Sequence, residues 1–142
     1  MASFIYNSFK TKQWNGNAID LDTDTIKVML TTSTYTPNQD THDFVDDITN
    51  EVSSGGYTAG GAALANKTMT QDDTNNWAKF DADDVTWTNV TFSARYAVIY
   101  KYTGTPSTSP LIACIDFGSD QSPSAANFTI QWSANGIMRN KE

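Results

Sequence analysis

Ala94–Tyr102 reads ARYAVIYKY and Leu111–Phe117 reads LIACIDF, and the pairing of these two runs decides the fold. In the first, Arg95, Ala97, Ile99 and Lys101 alternate with Tyr96, Val98, Tyr100 and Tyr102, so aromatic and β-branched side chains load one face. Successive side chains of a strand point to opposite faces, so this is the pattern of a half-buried strand. The second run is apolar on both faces, as in the central strand of a covered sheet. Between them Gly104–Pro110 (GTPSTSP) is polar and punctuated by proline, which predicts a hairpin loop rather than a crossover helix.

Outward from this pair the same reading recurs. Thr25–Thr32 sets Ile26, Val28 and Leu30 on one face, and Asn127–Ser133 does so with Phe128, Ile130 and Trp132. Trp77–Asp81 and Val85–Thr88 read as strands, Ala63–Thr70 as a weaker one, and Thr91–Ala94 as an extension of the long run. Turn signals fall at Thr36-Pro37-Asn38, Ser53–Gly61, Asp72–Asn76 and Asn135-Gly136. Two helical stretches are expected. Ser3 caps one that runs to Gln13, with Ile5 and Phe9 four residues apart and Asn15-Gly16 as its stop. Thr41 caps the other, Thr41–Ile48, which gathers Phe44, Val45 and Ile48. The expected fold is all-β: a single antiparallel β-sandwich or jelly-roll-like barrel spanning residues 1–142, with one or two short helices. Residues 1–16 are expected to form a helical N-terminal segment that either closes one end of the fold or docks on a neighbouring subunit. In the second case Phe4, Ile5 and Phe9 are the expected assembly contacts.

Composition narrows the function. Fourteen aspartates against two glutamates, with abundant Thr and Asn, favour strands joined by many turns. A net charge of −7 argues against a nucleic-acid partner, since phosphate binding draws on Lys and Arg. No apolar run approaches membrane-spanning length, and the N-terminus lacks the basic start and apolar core of a signal peptide. The expectation is a protein made in a cytoplasm, with no membrane partner.

The candidate chemistry is sparse. Asp20, Asp22 and Asp24 alternate as in a calcium loop, but Thr25 and Thr31 stand where that loop requires Gly and Glu. Asp81, Asp83 and Asp84 form a second acidic cluster, read like the first as turn carboxylates, and no two carboxylates stand out as an acid–base pair. His42 is the only histidine and is expected to be exposed at a helix start. No Gly-x-Ser-x-Gly elbow accompanies it. Gly55–Gly61 lacks the Gly-Lys-Ser/Thr ending of a phosphate loop, and Cys114, the one cysteine, is read as a small buried hydrophobe. Asn66, Asn89 and Asn127 open N-x-T triplets, which carry no weight without secretion. Trp14, Trp77, Trp87 and Trp132 could line a sugar platform, but three of the four fall in strands, where aromatic residues are ordinary core. No catalytic residue, cofactor or metal ligand is assigned, and an enzyme is not expected.

Several segments taken together carry a resemblance. They are Ile19–Val28 (IDLDTDTIKV), Ser54–Gly61 (SGGYTAGG) with Leu64 and Asn66–Thr68, Trp77–Trp87 (WAKFDADDVTW), Arg95–Lys101 (RYAVIYK) and Leu111–Gly118 (LIACIDFG). In this order, from Ile19 to Gly136, the chain resembles a family of small virion structural proteins of tailed bacteriophages, some of which look like capsid cement, or decoration, proteins. The resemblance implies a virion component that binds the major capsid protein on the outer surface of the head and stabilises the shell by bridging capsid subunits. It implies synthesis in the host cytoplasm and assembly as a homo-oligomer, a dimer or a trimer. The family marks no catalytic or binding residue. A tail or baseplate component and a carbohydrate-binding adhesion module are the alternatives.

Overall fold

The computed structural model describes residues 3–16 and 19–141. In chain order the elements are β1 (Phe4–Ile5), α1 (Asn7–Trp14), β2 (Ile26–Thr31), β3 (Ala62–Ala63), β4 (Thr68–Asp72), β5 (Trp77–Asp81) and β6 (Val85–Val90). There follow β7 (Ala94–Lys101), β8 (Leu111–Gln121), β9 (Ala126–Ile130) and β10 (Met138–Lys141). Every strand pairing is antiparallel. The strands form a five-stranded sheet ordered β1-β8-β7-β2-β3, a three-stranded sheet ordered β10-β5-β4, and the pair β6-β9. The fold is all-β, and its sheets are open.

The two deciding runs are β7 and β8, paired as a hairpin from Tyr96↔Asp116 to Tyr100↔Leu111. On the far side of β7 the β2 ladder runs unbroken from Ile26↔Lys101 to Thr31↔Tyr96. Side chains of alternating parity then enter two separate clusters. Ile26, Val28 and Leu30 with Ala97 and Ile99 join a larger core completed by Phe80, Val85, Trp87, Val90 and Ile130 of the smaller sheets. Met29 with Tyr96, Val98 and Tyr100 joins a second cluster that includes Tyr6, Tyr35, Leu111 and Cys114. The expectation of a half-buried β7 is therefore corrected: both of its faces are covered. A bulge at Ile112, skipped between Ile99↔Ala113 and Tyr100↔Leu111, shifts the parity of β8, and Ile112 and Ala113 both reach the larger core.

Charge and backbone contact fix the periphery. Arg95 grips Asp116 through Nε (2.6 Å) and Nη2 (3.3 Å), tying β7 to β8 beside their second register break. The Asp116 side chain is only 3% exposed, and the guanidinium holds its carboxyl well below the usual carboxylate range. The glycine-rich loop lies with its backbone against its neighbours. A Cβ at Gly61 would stand 1.8 Å from the Val28 carbonyl oxygen, and one at Gly55 would stand 1.6 Å from that of Thr91. Both glycines have positive φ, so this segment needs them for closeness as well as for conformation.

Several expectations change. The N-terminal helix begins at Asn7 rather than after Ser3, because Phe4–Ile5 pairs with Cys114 and Ala113 at the edge of β8. Ser3 Oγ accepts from the Asp116 N–H instead of capping a helix. The helix expected over Thr41–Ile48 shrinks to one 3-10 turn, Val45–Asp47. Its backbone is engaged elsewhere: Leu111 N–H donates to Asp43 O, and Val45 N–H donates to Ser109 O. The weak strand over Ala63–Thr70 divides into β3 and β4 in different sheets. Residues 91–93 stay outside β7, and β9 ends at Ile130. The charged C-terminal segment forms β10 along β5, from Met138↔Phe80 to Lys141↔Trp77.

Two predictions follow from these contacts. Gly55→Ala and Gly61→Ala are each expected to lower stability by about 2–5 kcal/mol in urea unfolding, combining overlap with positive-φ cost. Gly104→Ala, whose added Cβ meets open space, is expected to carry only the conformational cost of about 1–2 kcal/mol. The Asp116 carboxyl has a depressed folded pKa, so its contribution is complete above its ordinary value of 3.8 and is lost as the pH falls below it. Asp116→Asn is expected to be less stable at pH 7 and to converge on the wild type in urea melts as the pH is lowered below about 4.

Candidate functional site

Helix α1 is placed by contacts at both ends. Asn7 N–H donates to Gln39 O (3.1 Å), Asn7 Nδ2 donates to Asp40 Oδ1 (2.8 Å), and Gln39 Nε2 donates to Ile5 O (2.9 Å). At the other end Gln13 Nε2 donates to Ile19 O (3.1 Å), while the Ile19 N–H donates to Gln13 Oε1. Phe9 faces inward and is 8% exposed. So anchored, α1 lies beside the β10-β5-β4 sheet with an open groove of about 480 Å³ between them. Ile5, Phe9, Phe80 and Met138 are among the apolar side chains lining it, with Trp14 and Met69. Trp14 is 89% exposed and Met69 43%, and with Tyr102 these are the exposed large hydrophobic residues among those described. Two of the three thus meet at one groove.

Lys10 also lines it, in a chain that has only nine Lys and Arg residues, while Arg139 borders it from β10 and turns its side chain to the other face of the sheet. The Arg139 guanidinium lies 4.2 Å over the Trp77 ring, a cation–π contact that flattens it against the sheet. Trp77 Nε1 in turn donates to Asp72 Oδ2 (2.8 Å). Asp72 also accepts from the Thr74 and Asn75 N–H groups and from Asn75 Nδ2, and the Asn75 side chain is the chief cause of its lowered pKa. The β4–β5 turn beside the groove is therefore fixed by one carboxylate, the role the DDTNN signal implied.

Of the three expected assembly residues, the structure brings Ile5 and Phe9 together in the groove. Phe4, next to Ile5 on a strand, points the other way and packs edge-on against Tyr6 at 5.1 Å in the second cluster. Phe9 belongs to the core, so while α1 is docked it has little surface to offer a partner. The exposed members, Trp14 and Met69, are not among the expected assembly contacts, and Trp14 enters the sequence reading only as part of a sugar platform. A signal for Trp14 was present: it lies five residues after Phe9, about 140° round the helix and hence off the buried face.

The remaining candidates have structural placements. His42 is half-buried, not freely exposed: its Nδ1 bonds the Tyr35 hydroxyl (2.9 Å) and its ring stacks on Tyr35. The Tyr35 hydroxyl continues to that of Tyr6 (3.1 Å), and burial pushes the Tyr35 phenol up to about 12. Cys114 is 1% exposed, and burial pushes its thiol up to about 12 as well, which keeps it protonated and inert. The Asp20–Asp24 turn is closed by its own backbone and by Lys101, whose Nζ lies 2.9 Å from Asp24. No group of three or more metal-ligating side chains comes together among the described residues.

Comparison with family models, with curated proteins and with solved structures found no match. The groove's own chemistry suits contact with another macromolecule: exposed apolar walls, a buried apolar floor and one cationic side chain, Lys10. No helix among the described residues is long and apolar enough to cross a membrane.

Phe9 and Trp14 are expected to separate stability from surface function. Phe9→Ala should lower stability by about 3–5 kcal/mol through the cavity it leaves. Trp14→Ala should shift it by no more than about 0.5 kcal/mol. Urea unfolding monitored by circular dichroism checks both.

Proposed function

We propose that this chain is a bacteriophage capsid cement protein that binds the outer surface of the head and stabilises the shell by bridging capsid subunits. The observation that carries the reading is the groove, where Trp14 and Met69 stand exposed beside the edge strand β4 of a tightly tied body. A protein that works by bridging needs such a surface and little internal give. Stabilisation then follows from linkage, because whatever binds only the assembled shell shifts the equilibrium toward it. The partner on this reading is the major capsid protein, and the copies associate with one another. In fold, the reading takes the chain as a β-sandwich. The larger core, shared between one face of the five-stranded sheet and residues of the two smaller sheets, supports it.

The resemblance noted in the sequence supports the same reading through the segments that build the frame: β2, β5, β7 and the start of β8. The adhesion alternative draws on one observation, the exposed Trp14. Its other tryptophans are engaged, with Trp87 in the core, Trp132 Nε1 donating to Asp83 O, and Trp77 under Arg139. A stacked platform for a glycan chain therefore has weaker support than a docking groove.

Immunogold labelling of intact virions with antibody against this protein tests the reading. Gold spread evenly over the head is the expected result. Gold confined to the tail or its tip would replace cement with a tail or adhesion role.

A further inference from the structure

Strand β4 is an outer strand of its sheet, paired with β5 on one side and with no strand on the other among the described residues. Thr68 to Gln71 are exposed, and the strand carries neither Pro nor Lys to discourage pairing. In an antiparallel ladder alternate residues bond the neighbouring strand, so the remainder present N–H and C=O groups outward. Such an edge is a template for another strand.

We propose that β4 pairs antiparallel with β4 of a second copy, about a two-fold axis through Thr70, to make a dimer with a continuous six-stranded sheet. The charge pattern selects both the occupant and the register. With Thr70 facing Thr70, Met69 lies opposite Gln71, Thr68 opposite Asp72, and Lys67 opposite Asp73, each twice. Lys67 has no carboxylate within ion-pair distance among the described residues, and Asp73, in the turn just past β4, is exposed with only Oδ1 engaged, by Gln71 Nε2. The edge is thus self-complementary, as an isologous two-fold contact requires. Centring the pair on Gln71 instead would set Asp73 against Met69, and centring it on Met69 would set Lys67 against Gln71, so that neither register brings Lys67 to an opposite charge.

The same register accounts for the apolar exposure nearby. A two-fold axis perpendicular to the sheet keeps both grooves on one side. Met69, Gln71 and the residues that pair with them, Phe80 and Ala78, share the groove face. Pairing sets Gln71 of the second copy beside Met69, at the mouth of the groove that Trp14 flanks. Strand bonds, two ion pairs and partial cover of Met69 make a modest interface, so the dimer is concentration-dependent. This deepens the oligomeric part of the cement reading, selecting dimer over trimer, and stands whether or not the protein binds a capsid.

Sedimentation velocity of the purified protein over a concentration series tests it, with circular dichroism confirming the fold of each variant. The expected result is a monomer–dimer equilibrium. Lys67→Glu and Asp73→Lys should each weaken it by about tenfold or more, and the double charge swap should restore it. A Thr70→Cys variant should oxidise to a covalent dimer, since the two side chains face each other at disulfide distance, and Gln71→Cys should not. A monomer at every concentration, a trimer, a dimer indifferent to both charge reversals, or equal cross-linking at residues 70 and 71 would each overturn the proposal. Gold on the tail would reject the cement reading and leave this result untouched.

Discussion

A sheet with apolar side chains on both faces has to be covered twice, and the central ladder of β2, β7 and β8 imposes that requirement on the rest of the chain. Ile26, Val28, Leu30, Ala97 and Ile99 need one cover, and Met29, Val98 and the tyrosines of β7 need another. The smaller sheets supply the first. The second comes from irregular chain: Tyr35 and the turn through Val45 and Ile48, with Tyr6 arriving from the link between β1 and α1. Because that cover is rich in phenols, it brings polar atoms into a buried layer. They are reconciled by bonding one another, from Tyr6 through Tyr35 to His42 at the rim.

A second consequence concerns the glycine-rich segment. It runs so close to β2 at Val28 and to Thr91 that side chains are excluded at Gly61 and Gly55, and the contact is made by main chain. Its one large residue, Tyr57, enters the core and donates its hydroxyl to Glu51 while accepting from the Leu30 N–H. Glu51 also accepts from the Gly60 N–H, and the Tyr100 hydroxyl donates to the Gly60 carbonyl. The segment is thus tied at Gly55, Tyr57, Gly60 and Gly61 to residues of β2, β7 and the link between β6 and β7.

Where a run was strongly apolar or alternating, the sequence showed the elements almost residue for residue: β2, β5 and β7 stand where the reading puts them, and β8 starts at Leu111 as expected but runs past Phe117 to Gln121. It failed where backbone bonding came from far along the chain. Ile5 and Phe9 at helical spacing suggested a continuous helix, yet the edge of β8 draws Phe4–Ile5 into a ladder that no local pattern announces. Met138–Lys141 has charges where a strand would show alternation, and it pairs because β5 has a side to fill. The groove was legible only in half. Its floor was suggested by Ile5 and Phe9, but its walls depend on how α1 meets a sheet built from residues far away, and exposure of Met69 is a fact of that meeting alone.

The long-range closure of β1 also sets the order in which the protein can come into being. Ser3 and Asp116 meet across 113 residues of sequence, and β5 waits in the same way for β10. A ribosome therefore releases the first strand long before its partner exists, with Phe4, Ile5 and Tyr6 held in an unfinished chain. The local pairings are the β4–β5 hairpin, closed by the short turn over residues 73–76, and the later β7–β8 hairpin, and neither includes β1. β1 can pair only once Ala113 and Cys114 have been made, and the free side of β5 only once Met138–Lys141 has. Until then the chain carries unpaired strand edges and uncovered apolar side chains, the features that make unfinished chains associate.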